Sequence, residues 1–111
     1  MDITEFKVEV FLAEETVDEM TQELNGLGAL TVGDYDYVFS LTKVMGHWRP
    51  LEGSNPYHGT RGEISSSTEY KMEFRCPRAL LQQVLVKIHE IHPYEEPIVN
   101  VLPLVGSKKE G

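Results

Sequence analysis

Four stretches of the chain have the pattern of β-strands. Apolar and polar residues alternate over residues 5–12 and 67–75, as expected for strands with one face on a core and the other exposed. Residues 35–45 are rich in aromatic and β-branched types, which favour strands, and residues 98–104 predict a last strand. The residues expected on the buried face of the two alternating strands are Phe6, Val8, Val10, Leu12, Tyr70, Met72 and Phe74.

Two further stretches have apolar residues at helical spacing. The first begins after Thr16, which has the spacing of a capping box with Glu19, and Gly26 and Gly28 are expected to end it. The second is expected to open with Pro77 at its first position and to end before Pro93, because a proline pushes the preceding residue out of the helical region. The apolar positions are Val17, Met20, Leu24 and Leu27 in the first helix, and Leu80, Leu81, Val84, Leu85, Ile88 and Ile91 in the second.

The order strand, helix, strand, strand, helix, strand is the β-α-β-β-α-β pattern of ferredoxin-like folds. It predicts an α+β sandwich in which a four-stranded antiparallel sheet carries both helices on one face. The length suits a single domain spanning residues 1–111, with a long loop at about 46–66 and a frayed tail at 106–111. Because Phe11 and Val38 are expected on the uncovered face, we predict that a homo-oligomer covers it.

Charge and composition narrow the classes of partner. Acidic residues outnumber basic ones, 18 to 10, and give a formal net charge of −8. A nucleic-acid partner is therefore not expected, since phosphate binding needs a basic face, and the roughly 20 consecutive apolar residues of a membrane span are absent from the sequence. The acidic, alternating N-terminal stretch is unlike a signal peptide, and the single cysteine, Cys76, cannot form an internal disulfide. These features predict a cytoplasmic protein.

The loop between the second and third strands combines turn residues with aromatic and charged side chains. Trp48 and Arg49 could together hold an anion or a planar ligand, or Trp48 could be an anchor between subunits. With Asn55 and Tyr57 in the same loop, and Tyr94 and Glu95 in the turn after the second helix, they are the residues expected at a ligand site or an interface. The chain has no phosphate-binding loop motif and no Gly-x-Ser-x-Gly elbow around its serines, and we can assemble no set of nucleophile, base and orienting group, so an enzyme is not expected.

A cluster of ionisable residues surrounds the end of the second helix. His89 and His92 can share one face of the last helical turn, and with Glu95 they could bind a divalent cation such as copper or zinc. A histidine at this place is equally well explained by the partial negative charge of the helix C-terminus. Both interpretations stay open, and no resident cofactor is expected.

Several short motifs resemble known families. The sequence HPYEEP at 92–97, followed by LPL at 102–104, resembles the end of CutA divalent-cation-tolerance proteins. The sequences VGDYDY at 32–37, WRPLEGSNPYHGTRG at 48–62 and EYKMEF at 69–74 are similar to the inserted domain of the NIF-three-like family. The resemblance runs over most of the chain.

The resemblance implies a ferredoxin-like fold of the CutA and PII type, and a trimer, since those relatives tend to be trimers. NIF-three-like proteins hold a two-metal site in domains that flank the insert, so this chain resembles a stand-alone insert domain to which their metal chemistry does not transfer. Where that family often has His-Cys after Tyr-Asp, this chain has Tyr37 and Val38. Where CutA proteins can carry a copper-binding cysteine, it has Phe11 or Leu12. His92 matches the CutA histidine.

We therefore expect an uncharacterised, non-enzymatic oligomeric domain with a regulatory or ligand-sensing role, whose ligands bind in clefts between subunits. One alternative is a CutA-like metal-binding protein that uses His92 with Glu95 or His89. Another is an interaction module that docks onto a second protein, for example one with the flanking domains.

Overall fold

The computed structural model describes residues 2–106 and has the predicted order of elements. The strands are β1 (Glu5–Leu12), β2 (Ser40–Trp48), β3 (Ser65–Pro77) and β4 (Val99–Pro103), and the helices are α1 (Val17–Gly26) and α2 (Arg78–Ile91). The strands form one sheet in the order β2-β3-β1-β4, and every neighbouring pair is antiparallel. The ferredoxin-like β-α-β-β-α-β fold is thereby confirmed.

The core lies between the helices and one face of the sheet. In β1, Val8 and Val10 are fully buried, and the antiparallel register places them opposite Phe74 and Met72 of β3. The helices add the apolar stripes that their spacing predicts. Burial of each large aliphatic side chain stabilises the fold by about 2 kcal/mol. The buried apolar cluster consists of Val8, Val10, Leu12, Met20, Leu24, Ala29, Leu30, Met72, Phe74, Cys76, Val84 and Ile88.

The first helix starts after Thr16 as predicted but without the capping interaction, and the second starts one residue later than predicted. The capping box at Thr16 and Glu19 is wrong: Thr16 is buried at the end of a short 3-10 turn, already has helical backbone angles and makes no side-chain capping hydrogen bond. Pro77 is the last residue of β3 and has extended angles, so α2 begins one residue later at Arg78. The predicted end of α2 is confirmed, because His92, the residue before Pro93, is extended.

The second strand is displaced from the predicted range of 35–45. The structure has β2 at Ser40–Trp48, because Tyr37 adopts a positive φ of 52° and its amide donates to Asn25 Oδ1 at 2.9 Å. That contact ties the segment before β2 to α1 and keeps it out of the sheet. At its other end β2 continues through Trp48, so the long loop spans residues 49–64 and not about 46–66. Most of the tail predicted to fray, 107–111, lies outside the described residues.

The outer face of the sheet is charged, not apolar as expected. Lys7 lies 3.1 Å from Glu9 and 3.2 Å from Glu73, and Lys71 lies 3.1 Å from Glu73. Val38 precedes β2 and is not on the sheet at all. Phe11 does lie on this face, opposite Lys71, and is partly buried, and Leu102 lies there opposite Lys7, so the apolar residues of this face are interspersed with charged ones.

Strand β2 is the exposed part of the sheet. It forms one edge, contributes no residue to the buried cluster and leaves Leu41 and Met45 exposed, Met45 by 59%. The radius of gyration is 15.8 Å, against about 13 Å for a compact domain of this length. The molecule is accordingly elongated, with extents of 56 × 29 × 23 Å. Among residues 2–106, no helix is long and apolar enough to span a membrane.

Candidate ligand-binding site

A cavity of about 700 Å³ lies between the loop at 49–64 and the turn at 92–98. Its volume is within the range of small-molecule sites. Strands β1 and β2 contribute Phe11 and Trp48 where they end, the loop contributes Tyr57 and the turn contributes Tyr94. Each of the four segments around the cavity therefore contributes an aromatic side chain.

The loop is held in place through Trp48, the last residue of β2. The indole Nε1 donates a hydrogen bond of 3.0 Å to the carbonyl of His58. Gly59 follows with a φ of +99°, and a Cβ at that position would lie 2.8 Å from the indole nitrogen. A glycine is needed there both for the backbone angle and for the space. The loop is thus folded back on its own strand, and Trp48 is one of the residues that line the cavity.

The turn is fixed to β1 through His92. The ring nitrogen Nε2 lies 2.6 Å from the Phe11 carbonyl, and Nδ1 accepts the Tyr94 amide at 3.3 Å. Because Nδ1 accepts, Nε2 carries the proton and donates, which assigns the neutral tautomer. Burial lowers the pKa of His92, the Phe11 carbonyl opposes that shift, and the charge of His89 adds to it. Both ring nitrogens are engaged, so His92 serves to position the turn.

A carboxylate lies deep in the cavity wall. Glu69 of β3 is only 9% exposed, and it accepts a hydrogen bond of 3.4 Å from the Tyr94 hydroxyl. Burial raises the pKa of Tyr94 to about 12, and the nearby Glu69 charge adds to that shift. Gly46 of β2 makes room for this carboxylate, since a Cβ there would overlap it. The sequence pattern places Glu69 with the solvent-facing residues of β3, and its burial depends on the register with β2.

The loop also closes directly onto the turn. The backbone N–H of Asn55 donates to both carboxylate oxygens of Glu95, at 3.1 and 3.0 Å. The Tyr57 and Tyr94 rings lie beside this contact, with centroids 6.0 Å apart and an angle of 48° between their planes. The hydrogen bonds between Asn55 and Glu95 are exposed, whereas those that hold Tyr94 and His92 are part-buried.

The charged residues that line the cavity are mostly acidic. They comprise Glu52, Glu69, Glu95 and Glu96 against one arginine, Arg49. The resulting negative potential works against the anion-binding role considered for Trp48 and Arg49.

The structure brings together most of the predicted site residues. Trp48, Arg49, Tyr57, Tyr94 and Glu95 all line the cavity, and Asn55 contributes its amide to Glu95.

The predicted metal ligands are not brought together. His89 is exposed on α2, His92 has both nitrogens engaged, and Glu95 accepts from Asn55. Within residues 2–106 no three His, Cys, Asp or Glu side chains are grouped as a metal site requires. Metal binding by this set stays a prediction that its geometry does not support.

Comparison with known proteins agrees with this structure. The sequence model of the CutA1 divalent ion tolerance protein family matches residues 53–110, just over half of the chain. This chain belongs to the CutA1 family. The matched part includes β3, α2, the turn and β4, and with them Glu69, Tyr94 and Glu95 of the cavity.

Relatives of a second kind support the other predicted resemblance. A GTP cyclohydrolase 1 type 2 homolog of Halalkalibacterium halodurans is 31% identical over 101 residues, which are 91% of this chain and 27% of the relative. A Bacillus cereus protein related to NIF3 superposes with a TM-score of 0.79 at 27% identity, over 93% of this chain and 26% of that one. The CutA1-family chain thus spans about a quarter of the length of these relatives.

Two neighbours of similar length share the fold. The periplasmic divalent cation tolerance protein CutA of Archaeoglobus fulgidus has a TM-score of 0.69 at 13% identity, with 95% of this chain and 88% of that chain covered. GlnK of Bacillus subtilis has a TM-score of 0.63 at 18% identity, with 91% and 85% covered. The predicted resemblance to CutA-like and PII-like folds is confirmed.

Proposed function

We propose that this domain is a non-catalytic, ligand-sensing module that acts as a homo-oligomer and binds a small molecule between the loop at 49–64 and the turn at 92–98. The observation that carries the proposal is the aromatic cavity itself. Trp48, Tyr57 and Tyr94 line a space of about 700 Å³, and aromatic rings that border such a space gain much from burial against a ligand.

The contact between Asn55 and Glu95 offers a way to report that the cavity is filled. It joins the loop to the turn through one exposed backbone N–H that is shared between two carboxylate oxygens, an interaction that contributes about 1 kcal/mol. A ligand that binds better to one arrangement of the loop shifts the population toward it. Occupancy would thus change the surface that the loop presents to partners.

The side chains with nucleophilic groups support binding rather than catalysis. The Ser54 hydroxyl donates to the Leu51 carbonyl at 2.7 Å. Cys76 is buried, and burial raises the pKa of its thiol to about 11, so the reactive thiolate is scarce at neutral pH. The activity named for the curated relatives belongs to proteins about four times as long, and we do not extend it to this domain.

The edge of the sheet supports the oligomer. Strand β2 has unpaired backbone groups along its outer side and exposes Leu41 and Met45, and such an edge is a template for pairing with another chain. Since Trp48 ends this same strand, a second copy paired along β2 would border the cavity. This arrangement would give the predicted cleft between subunits.

Two experiments test the proposal. Trp48 is the only tryptophan, so its fluorescence can report binding in a screen of neutral, anionic and cationic fragments. Tyr57→Ala should weaken binding of a hit about tenfold by removing one aromatic wall, while Tyr35→Ala, an exposed tyrosine outside the cavity, should leave it unchanged. A screen without hits, or equal effects of the two substitutions, would contradict ligand sensing.

Light scattering at micromolar concentration tests the oligomer. We expect Met45→Glu to dissociate it, because the charge would be buried in the contact, whereas Val86→Glu on the exposed side of α2 should not. A wild-type protein that is monomeric under these conditions would remove the intersubunit cleft from the proposal.

A further inference from the structure

We propose that the cavity binds a small organic cation, an ammonium or quaternary ammonium compound, with Glu69 as its anionic anchor and the rings of Trp48, Tyr57 and Tyr94 as its walls. This inference rests on the proposed ligand-sensing function and names the class of ligand.

The anionic anchor, Glu69, is a buried carboxylate. It is nine-tenths buried, and across residues 2–106 no lysine, arginine or histidine forms an ion pair with it. The hydrogen bond that its side chain accepts from the Tyr94 hydroxyl is long at 3.4 Å. A carboxylate is expensive to bury unless it is paired, and this one lines a cavity large enough to admit the missing cation.

The position of Gly46 is the second argument. A strand interior disfavours glycine, which has no side chain to pack and loses more entropy on folding. Here any side chain would overlap the Glu69 carboxylate. The glycine thus keeps the carboxylate at the cavity wall, at the expense of strand stability.

The aromatic walls select the kind of cation. The centroids of the Tyr57 and Tyr94 rings are 6.0 Å apart, and the ring planes are inclined at 48°. Because a ring attracts a cation that lies within about 6 Å of its centroid, one cation in the cavity can be in range of both rings. Trp48, the ring type that attracts cations best, lines the same space. A divalent metal would instead need several oxygen or nitrogen ligands at close range, and residues 2–106 do not group three such side chains.

The net charge of the lining agrees with a cation. Four glutamates oppose one arginine around the cavity, so an anionic ligand would enter a repulsive field while a cation would be attracted.

Choline is a suitable probe, and 3,3-dimethylbutan-1-ol is its neutral counterpart of the same shape. With Trp48 fluorescence as the readout on the full chain, we expect choline to bind about tenfold tighter than the alcohol. Glu69→Gln should weaken choline binding about tenfold and leave the alcohol unaffected. The matched control is Glu63→Gln, which removes the same charge from an exposed position outside the cavity and should change neither affinity.

The outcomes separate the two proposals. Equal affinities for choline and the alcohol, or choline binding that is unchanged in Glu69→Gln, would overturn the cation inference. Binding of anionic or neutral fragments in the cavity without choline would also overturn it, while ligand sensing would stand. If no fragment of any charge binds, both fail. If Glu69→Gln does not fold, the comparison of choline with the alcohol on the wild-type protein still tests whether the cavity prefers a cation.

Discussion

Two carboxylates on the same face of β3 lie in opposite surroundings. Glu73 is 23% exposed and contacts Lys7 and Lys71 at 3.2 and 3.1 Å, and these lysines hold its pKa below the usual range. Glu69, four residues earlier, is more deeply buried, and in the described part of the chain its side-chain partner is the Tyr94 hydroxyl. The charge at Glu73 is compensated by two lysines, whereas within residues 2–106 no lysine, arginine or histidine forms an ion pair with Glu69.

The neighbouring strands explain the difference. Glu73 lies opposite Glu9 in the middle of β1, where Lys7 can reach it. Glu69 lies beyond the end of β1, since the last paired residue there is Leu12, opposite Tyr70. Its other neighbour, β2, offers Val44 opposite and Gly46 nearby. Because β1 ends before it reaches Glu69, this position lacks the lysine neighbours of Glu73 and lines the cavity instead.

The largest effect is expected from removing the support of the cavity. His92→Ala leaves the Phe11 carbonyl and the Tyr94 amide without their partner and opens a void, which together should lower the free energy of unfolding by about 3 kcal/mol. His89→Ala, an exposed histidine three residues earlier, should change it by less than about 0.5 kcal/mol. Urea denaturation measures both, and equal losses would show that His92 does not fix the turn.

The second prediction compares the two carboxylates directly. Glu69→Gln should stabilise the empty protein by about 1 kcal/mol, because it removes an uncompensated buried charge. Glu73→Gln should destabilise it by about 0.5 kcal/mol, a value limited by solvent screening of the ion pairs. Thermal melts at low salt and in 1 M NaCl provide the check, and the Glu73 effect should shrink with salt. A loss of stability in both variants would mean that Glu69 is already compensated.

The third prediction concerns the space that Gly46 leaves. Gly46→Ala should displace the Glu69 carboxylate, reduce stability by about 1 kcal/mol and weaken choline binding. Gly26→Ala, at the end of α1 with no atom near the added carbon, should be neutral or slightly stabilising. Calorimetry of unfolding and fluorescence titration measure the two effects. If Gly46→Ala bound choline as tightly as the wild-type protein, the space at Gly46 would not be needed for binding.

The sequence pattern predicts the elements better than it predicts this site. β1 has the predicted bounds, and α2 ends where Pro93 requires. The start of β2 could not be read from residue types, because it depends on the contact between Tyr37 and Asn25 across two elements. For the same reason the pattern places Glu69 with Glu73, since only the register with β2 and the packing of Tyr94 tell them apart.

The candidate site was partly predictable. A glycine- and proline-rich loop with Trp48 and Tyr57, and a turn with Tyr94, indicate a binding region by composition, and they do line one cavity. The metal interpretation depended on free histidine nitrogens. Whether the His92 ring is free is a matter of three-dimensional contacts with Phe11 and Tyr94, which no spacing reveals.

The smallest effect should appear in the pH dependence of stability. The turn at His92 and the ion pairs of Glu73 should contribute to it in different pH ranges. The folded pKa of His92 lies below 6.5, chiefly through burial. As the pH falls below 6.5 the unfolded chain takes up a proton at this ring and the folded one does not, so stability decreases until the folded pKa is reached. The folded pKa of Glu73 lies below 4.5, so its contribution is present above that pH and is lost as the pH falls through the folded value.

Substitution of His92 and of Glu73 shows which residue causes the change in stability in each pH range. The difference in unfolding free energy between wild type and His92→Gln should vary between pH 6.5 and the lower folded pKa of His92, and be constant above pH 6.5. The difference between wild type and Glu73→Gln should vary only in the acidic window. Urea titrations across both windows measure these differences. A constant difference for His92→Gln would contradict the neutral, buried ring and with it the anchor that shapes the cavity, whereas a constant difference for Glu73→Gln would contradict the compensation of Glu73 by its lysines.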